Sequence, residues 1–193
     1  MKQIAILFLF TIFVLNCGHD LSQYDRFVEP QISEKQPQKM LVYEIMGDPN
    51  ETAGVAIGAL YSAFYKMKKE YQMEMAAPKA RWPQPPDTPR EEWIGIFGLE
   101  IPESLSNLPK EISDKYPQLK IETWEYGLVA EIMHVGSYAT EHSTVQKLID
   151  FISESGYQIV GGHEEEYLKG PGMFFKGNPE KYKTIIRFPV REK

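Results

Sequence analysis

The densest cluster of reactive side chains in this chain is three consecutive carboxylates, Glu164, Glu165 and Glu166, followed at once by Tyr167. Successive side chains on a strand point to opposite faces, so Glu165 and Tyr167 share one face with His163, while Glu164, Glu166 and Leu168 share the other. A carboxylate partly withdrawn from water among aromatic rings attracts a cation, and each ring face adds about 0.5–2 kcal/mol. On a turn the same three glutamates would simply be solvated, and the residues alone favour that reading. Trp93, Trp124, Tyr43 and Tyr138 are further aromatics able to line a groove, although large rings on half-buried strands commonly fill a core or an interface.

Elsewhere the chemistry is sparse. His142 and His163 have no partner at metal-ligand spacing, and His134 reads as a strand residue with a local hydrogen bond, so neither a metal site nor a cofactor is expected. Met40, Met46, Met67, Met73, Met75 and Met133 fall on strand and helix stripes, where packing accounts for them. The 42% hydrophobic and 25% charged residues are ordinary globular composition and argue against a disordered or fibrous chain. A formal charge of −6 lacks the basic excess that phosphate contacts demand, so nucleic acid is not an expected partner. The single cysteine, Cys17, can close no internal disulfide and make no cysteine-rich zinc site.

The position of Cys17 says more than its count. Lys2 precedes an apolar run from Ile4 to Leu15, broken only by Thr11, which is short for a bilayer span and right for a signal-peptide core. Ending in Val14, Leu15, Asn16, Cys17 and Gly18, the segment resembles the lipobox of bacterial lipoproteins, with Asn16 where a small residue is preferred. That resemblance implies a signal peptide over residues 1–16, lipid modification of Cys17, and an exported protein held to a bacterial membrane. Residues 17–39 are polar, carry Pro30 and Pro37, and read as a lipidated tether to a folded body from residue 40 onward.

In that body LVYEIM (41–46) reads as a strand, closed by the turn residues 47–50. Ile57, Leu60, Tyr61, Phe64, Met67 and Tyr71 then draw one apolar stripe down a helix. Residues 73–82 and 92–101 are strand-like, separated by a proline-rich loop, and a short helix is expected near 110–115. Residues 119–135 are extended, as a bent strand or as a hairpin around Gly127. Val145, Leu148, Ile149 and Ile152 mark a second helix, with Ser143 and Gln146 spaced for a capping box and Gly156 placed to stop it. Strands over 157–160, 163–168 and 184–191 follow, the last reading as an edge or strand end because of Pro189. VYEIM at 42–46 and VAEIM at 129–133 match at four of five positions, 87 residues apart, and the same spacing lays the helix stripes on each other without a gap. The expected fold is α+β: two β-α-β-β units, about 40–102 and 119–193, related by a pseudo-two-fold axis. An antiparallel sheet would carry the helices on one side, with a groove between the halves suited to a ligand.

HVGSY (134–138), the helix ending in GYQIVG (156–161), EEYL (165–168) and KTIIRFPV (183–190) together resemble the GyrI-like small-molecule-binding domain. That family includes DNA-gyrase inhibitory proteins and the effector-binding domains of multidrug-responsive and AraC-type regulators. The resemblance implies a groove lined with aromatics, with Glu165 of the Glu-x-Tyr motif as its carboxylate and Tyr167 beside it. Tyr138, in the matched turn, is then the strongest of the other aromatic candidates, ahead of Trp93, Tyr43 and Trp124. No helix-turn-helix segment precedes the domain in this sequence, and a signal peptide would carry it away from DNA. The leading expectation is therefore an exported, lipid-anchored domain that captures a small organic molecule, apolar and possibly cationic. The alternatives are a hydrolase of strained, cyclopropane-type electrophiles with Glu165 as general base, and a protein that binds a macromolecule through its surface.

Overall fold

The computed structural model describes residues 21–85, 88–170 and 177–193. Ser22–Val28 forms a 3-10 helix. The strands are β1 (Gln31–Lys35), β2 (Gln38–Met46), β3 (Lys79–Trp82), β4 (Ile94–Glu100), β5 (Leu119–Trp124), β6 (Gly127–Val135), β7 (Tyr157–Ile159), β8 (His163–Lys169) and β9 (Lys183–Glu192). Between them lie the helices α1 (Pro49–Met67), α2 (Lys110–Lys115) and α3 (His142–Glu154). Asp48 caps α1 by accepting from the Asn50 amide, and Pro49 presets the first helical turn. Leu60, Phe64 and Met67 are buried along its stripe together with Ala56, Ala59 and Ala63. Gly156, at φ +82°, ends α3 in the left-handed conformation that glycine adopts without strain.

All the strands join one antiparallel sheet in the order β1-β6-β9-β8-β3-β4-β2-β5, with β7 added alongside β9. The order is symmetric about the central β8–β3 pair: β6, β9 and β8 on one side answer β2, β4 and β3 on the other. Register supports the duplication residue by residue. Displaced by the 87-residue spacing of the matching pentads, the pair Ile32↔Ala130 becomes Leu119↔Tyr43, itself a pair of the β2–β5 ladder. Each half thus lends its leading strand to the other half's edge: β1 lies on β6, and β5 lies on β2.

Several expectations are corrected. The polar stretch before residue 40 is not a free tether over its length: Phe27 is buried against Met133 and Ile185, and β1 hydrogen-bonds to β6. Its composition hid this because one aromatic anchor and an edge strand need few apolar residues. Residues 1–17, with Cys17, lie outside the described residues. β5 and β6 do not pair as a hairpin, since each has a partner in the opposite half. No capping box forms on α3, where Ser143 bonds to the Thr140 carbonyl and Gln146 to Asp150. β9 is interior rather than an edge; Pro189 is accommodated because β8 ends its pairing at Arg187. The gap-free overlay fails at the closing strands. Leu41↔Leu99 would map onto 128↔186, whereas Ile186 faces Ile132, four residues on, because the connecting segments differ in length.

α1 packs on β2 and β4, and α3 on β6 and β7. Two cores result, one around Leu41, Leu60, Phe64 and Phe97, the other around Ile132, Leu148, Ile152 and Ile186. The central strands β3 and β8 run along the seam between them.

Candidate functional site

Directly opposed residues of neighbouring strands face the same side of a sheet, so rows can be read across it. One row runs Leu119, Tyr43, Phe97, Ala80, Glu165, Ile186, Ile132. Ala80 and Phe97 belong to the α1 core, and Ile186 and Ile132 to the α3 core. Glu165 is the single charged residue of the row, and it stands where the two cores meet. Its side chain is 12% exposed. His163 Nε2 lies 3.0 Å from its Oε1, and the Tyr167 hydroxyl donates to it from the same strand.

Around this carboxylate the fold gathers rings and a second acid. The Tyr138 ring is 5.8 Å from that of Tyr167, edge-on, and 5.6 Å from that of Tyr182. Burial and then the charge of Glu165 push both the Tyr138 and Tyr167 phenols upward, so they remain neutral donors. Glu141, immediately before α3, is pushed up to about 8, first by burial and then by Glu165, and its Oε1 is buried without a hydrogen-bond partner among the described residues. His134 holds this corner together. Its Nε2 donates to the Ser137 carbonyl at 3.1 Å, so in the neutral ring Nδ1 accepts from the Thr144 hydroxyl at 2.9 Å. β6, the turn carrying Tyr138 and the first turn of α3 are thereby tied together. At the end of the β3–β8 pair, between residues 72–79 and Leu21–Tyr24, lies a cavity of about 640 Å³ with Tyr61, Tyr167 and Glu166, but neither Glu165 nor Tyr138, in its wall. That volume falls within the range of small-molecule sites.

The structure brings Glu165, Tyr167 and Tyr138 together. Trp93 lies on the same side of the sheet, against Trp82 at 5.5 Å between ring centroids, its indole nitrogen donating to the Thr88 carbonyl. Tyr43 shares the row of Glu165 but stands three strands away, 9% exposed in the α1 core. Trp124 is on the opposite face, 2% exposed among Met40 and Val42 with the Arg81 guanidinium 4.2 Å above its ring. It cannot share the face of Glu165, because it pairs with Gln38 and so shares the parity of Met40. Sequence reasoning missed Glu141, Trp82 and Tyr182. Glu141 follows the matched HVGSY turn by three residues and opens a helix, which was the one available signal.

The opposite face explains the remaining carboxylates. Glu164 and Glu166 point there, into a buried network in which Arg187 reaches Glu131, Glu164 at 3.1 Å and Glu166 at 2.6 Å, and Arg81 reaches Glu164 at 2.9 Å. Burial opposes the charge on Arg187, and the three carboxylates outweigh it, holding the guanidinium firmly protonated. The glutamate run therefore divides its work by parity: Glu165 to the face that packs against the helices, its neighbours to a structural ion cluster. Among the described residues no group of three or more His, Cys, Asp or Glu is arranged to hold a metal ion, and no helix is long and apolar enough to cross a membrane.

The family model of the GyrI-like small molecule binding domain matches residues 28–191. Among solved structures, a hydrolase from Listeria innocua is 23% identical and superposes with a TM-score of 0.70, over 89% of this chain and 98% of its own. An uncharacterized conserved protein from Listeria innocua is 24% identical, with a TM-score of 0.71 and the same coverage. The C-terminal domain of EcmrR is 10% identical, with a TM-score of 0.63, over 86% of this chain and 98% of its own. At these identities the likeness is one of fold. No curated protein matches the chain.

Proposed function

The chain belongs to the GyrI-like small-molecule-binding family, and from that membership we propose that it captures an apolar organic cation in the groove between its halves. The observation that carries this reading is Glu165, the one carboxylate in an otherwise apolar row, under the rings of Tyr138 and Tyr167. Withdrawal from bulk water strengthens its pull on a positive charge, and the rings supply flat surface and cation–π attraction. Residues 1–17 support the further reading that the domain is exported and tethered by lipid on Cys17. Capture is tested by titrating a cationic dye such as crystal violet against the protein and its Glu165→Gln variant. Loss of the charge is expected to weaken binding about tenfold or more, roughly 1.4 kcal/mol. Equal affinity in the two proteins would sink the cation trap.

A second reading has one observation in its favour. Glu141 Oε1 is buried without a hydrogen-bond partner among the described residues, burial and Glu165 push its carboxyl up to about 8, and an acid paired with a base is the equipment for adding water across a strained ring. Glu165 would take a proton from the attacking water while Glu141 protonates the leaving carbon as the ring bond breaks. Multiple turnovers of a cyclopropane-bearing electrophile, abolished in Glu141→Gln and Glu165→Gln, are what this reading requires; binding without turnover counts against it.

A further inference from the structure

We propose that the cavity at the end of the β3–β8 pair is a binding site for a small peptide-like amine, whose amide groups bond to the free main chain of residues 74–77 and whose ammonium group meets Glu74. Neither Glu165 nor Tyr138 lines it, so its occupant is independent of the cation capture read above. The cavity opens where the sheet splits. The β3–β4 ladder stops at Lys79↔Gly98, and two residues on, Ala77 and Glu100 form no backbone hydrogen bond to each other. On the other side the Tyr167 amide donates to the Pro78 carbonyl. The space left between these strand ends is about 640 Å³, ample for a molecule of dipeptide size.

Every residue from Gln72 to Lys79 lines this space, and a non-helical segment does not turn every side chain one way, so the main chain itself forms that wall. Among the described residues the amides and carbonyls of Glu74, Met75, Ala76 and Ala77 have no hydrogen-bond partner, although residues 75–77 are half-buried. Main-chain groups withdrawn from water are nearly always paired, and a free run of them beside a strand is what an amide-bearing ligand completes. Gln72 adds a second sign. It closes the turn after α1 at φ +50°, where the Met73 amide donates to the Lys68 carbonyl and glycine is the usual residue. A long polar side chain is thus kept at a strained point of the cavity wall.

The charges of the wall leave one acid over. Glu166 is paired with Arg187 at 2.6 Å, and Lys79, 2% exposed, is shared by Gln38 and Glu100. Glu74 is exposed and has no ion pair or hydrogen bond among the described residues, which leaves it for a ligand's ammonium group. Tyr61 and Tyr167 supply ring faces, and Leu21, Gln23 and Tyr24 close the near side. Those three belong to the segment that Phe27 pins to Met133 and Ile185, so the N-terminal segment completes the site.

The test uses alanyl-tyrosinamide as probe, with its N-acetyl derivative as the uncharged control. Methyl NMR of carbon-13-labelled methionines reads the place of binding, since Met73 and Met75 line the cavity and Met40 and Met46 do not. At about 10 mM, enough to register a millimolar Kd, the free amine is expected to shift Met73 and Met75 and to leave Met40 and Met46 in place. The acetylated control is expected to bind about threefold more weakly, the scale of an exposed charge pair, and Glu74→Gln to bring the two to equal affinity. Methylating the nitrogen of the probe's peptide bond deletes the donor meant for the main chain and is expected to cost about fivefold. Absence of shifts at Met73 and Met75, equal binding of the charged and acetylated probes, or equal binding of the methylated one overturns the proposal. Glu165→Gln separates this site from the other: it is expected to weaken crystal violet and leave the amine unchanged. Loss of the amine in Glu165→Gln overturns the proposal, whereas a dye that binds neither protein beside an amine that binds both sinks the capture reading and leaves this site standing.

Discussion

At Glu141 burial comes first and the neighbouring Glu165 second, and both raise its carboxyl from an ordinary 4.5 to about 8. The folded protein therefore holds a proton there that the unfolded chain gives up between those values, so the contribution to stability is complete below about pH 4.5 and fades as the pH climbs through 8. Urea midpoints of the wild type are expected to drop between pH 5 and pH 9, and those of Glu141→Gln to drop less. Parallel curves would show that the acid is solvated. At this scale the sequence was partly legible. Strand alternation alone separates Glu165 from Glu164 and Glu166, and it puts Tyr167 and His163 beside it. What alternation does not tell is which face meets the apolar cores and which meets an ion cluster, because that depends on Arg187, Arg81 and Glu131 arriving from other strands. Glu141 was hidden for the same reason: an acid before a helix is normally solvated near the positive end of the helix dipole, and only tertiary packing buries this one.

Among the elements, the central strands β3, β8 and β9 bear opposite duties on their two sides, Glu165 among apolar residues on one and buried charge on the other. Arg187 is 3% exposed and serves three carboxylates, so removing it leaves uncompensated charge rather than a simple gap. Arg187→Met is expected to cost about 3–5 kcal/mol near neutral pH, read from the urea midpoint. The cost should shrink in acid, where the orphaned glutamates can take up protons, and an unchanged midpoint at neutral pH would refute the role given to the cluster. Apolar periodicity located α1 and α3 well because their stripes are local signals. It missed β1 and misread β9 as an edge, because pairing partners up to about a hundred residues away leave no local trace. Gly162 shows how tightly this region is fitted: a Cβ there would lie 2.2 Å from the Trp82 carbonyl oxygen, so the residue just before β8 is one that lets the end of β3 pass close by.

For the whole molecule, the internal repeat was readable from two pentads and two helix stripes, and the symmetric strand order bears it out. The exchange of β1 and β5 between halves was not readable, since either strand could have paired within its own half. That exchange bears on the proposed anchor. If lipid is attached at Cys17, only residues 18–21 separate it from the 3-10 helix that begins at Ser22 and docks Phe27 on the sheet. Four extended residues reach about 14 Å, so the body would sit against the headgroups rather than swing on a leash. Cys17→Ser is expected to abolish labelling by a fatty-acid analogue and to release the protein from membranes; continued labelling would dismiss the anchor. The borrowed edge strand also sets an order of events in synthesis. β1 leaves the ribosome early, yet residues 127–131 that it pairs with are made about a hundred positions later. Neither half can cover its edge from its own strands, since β2 takes β5 and β6 takes β1. The two halves, though duplicates, therefore complete each other's sheets, and the first strand made waits about a hundred residues for its partner.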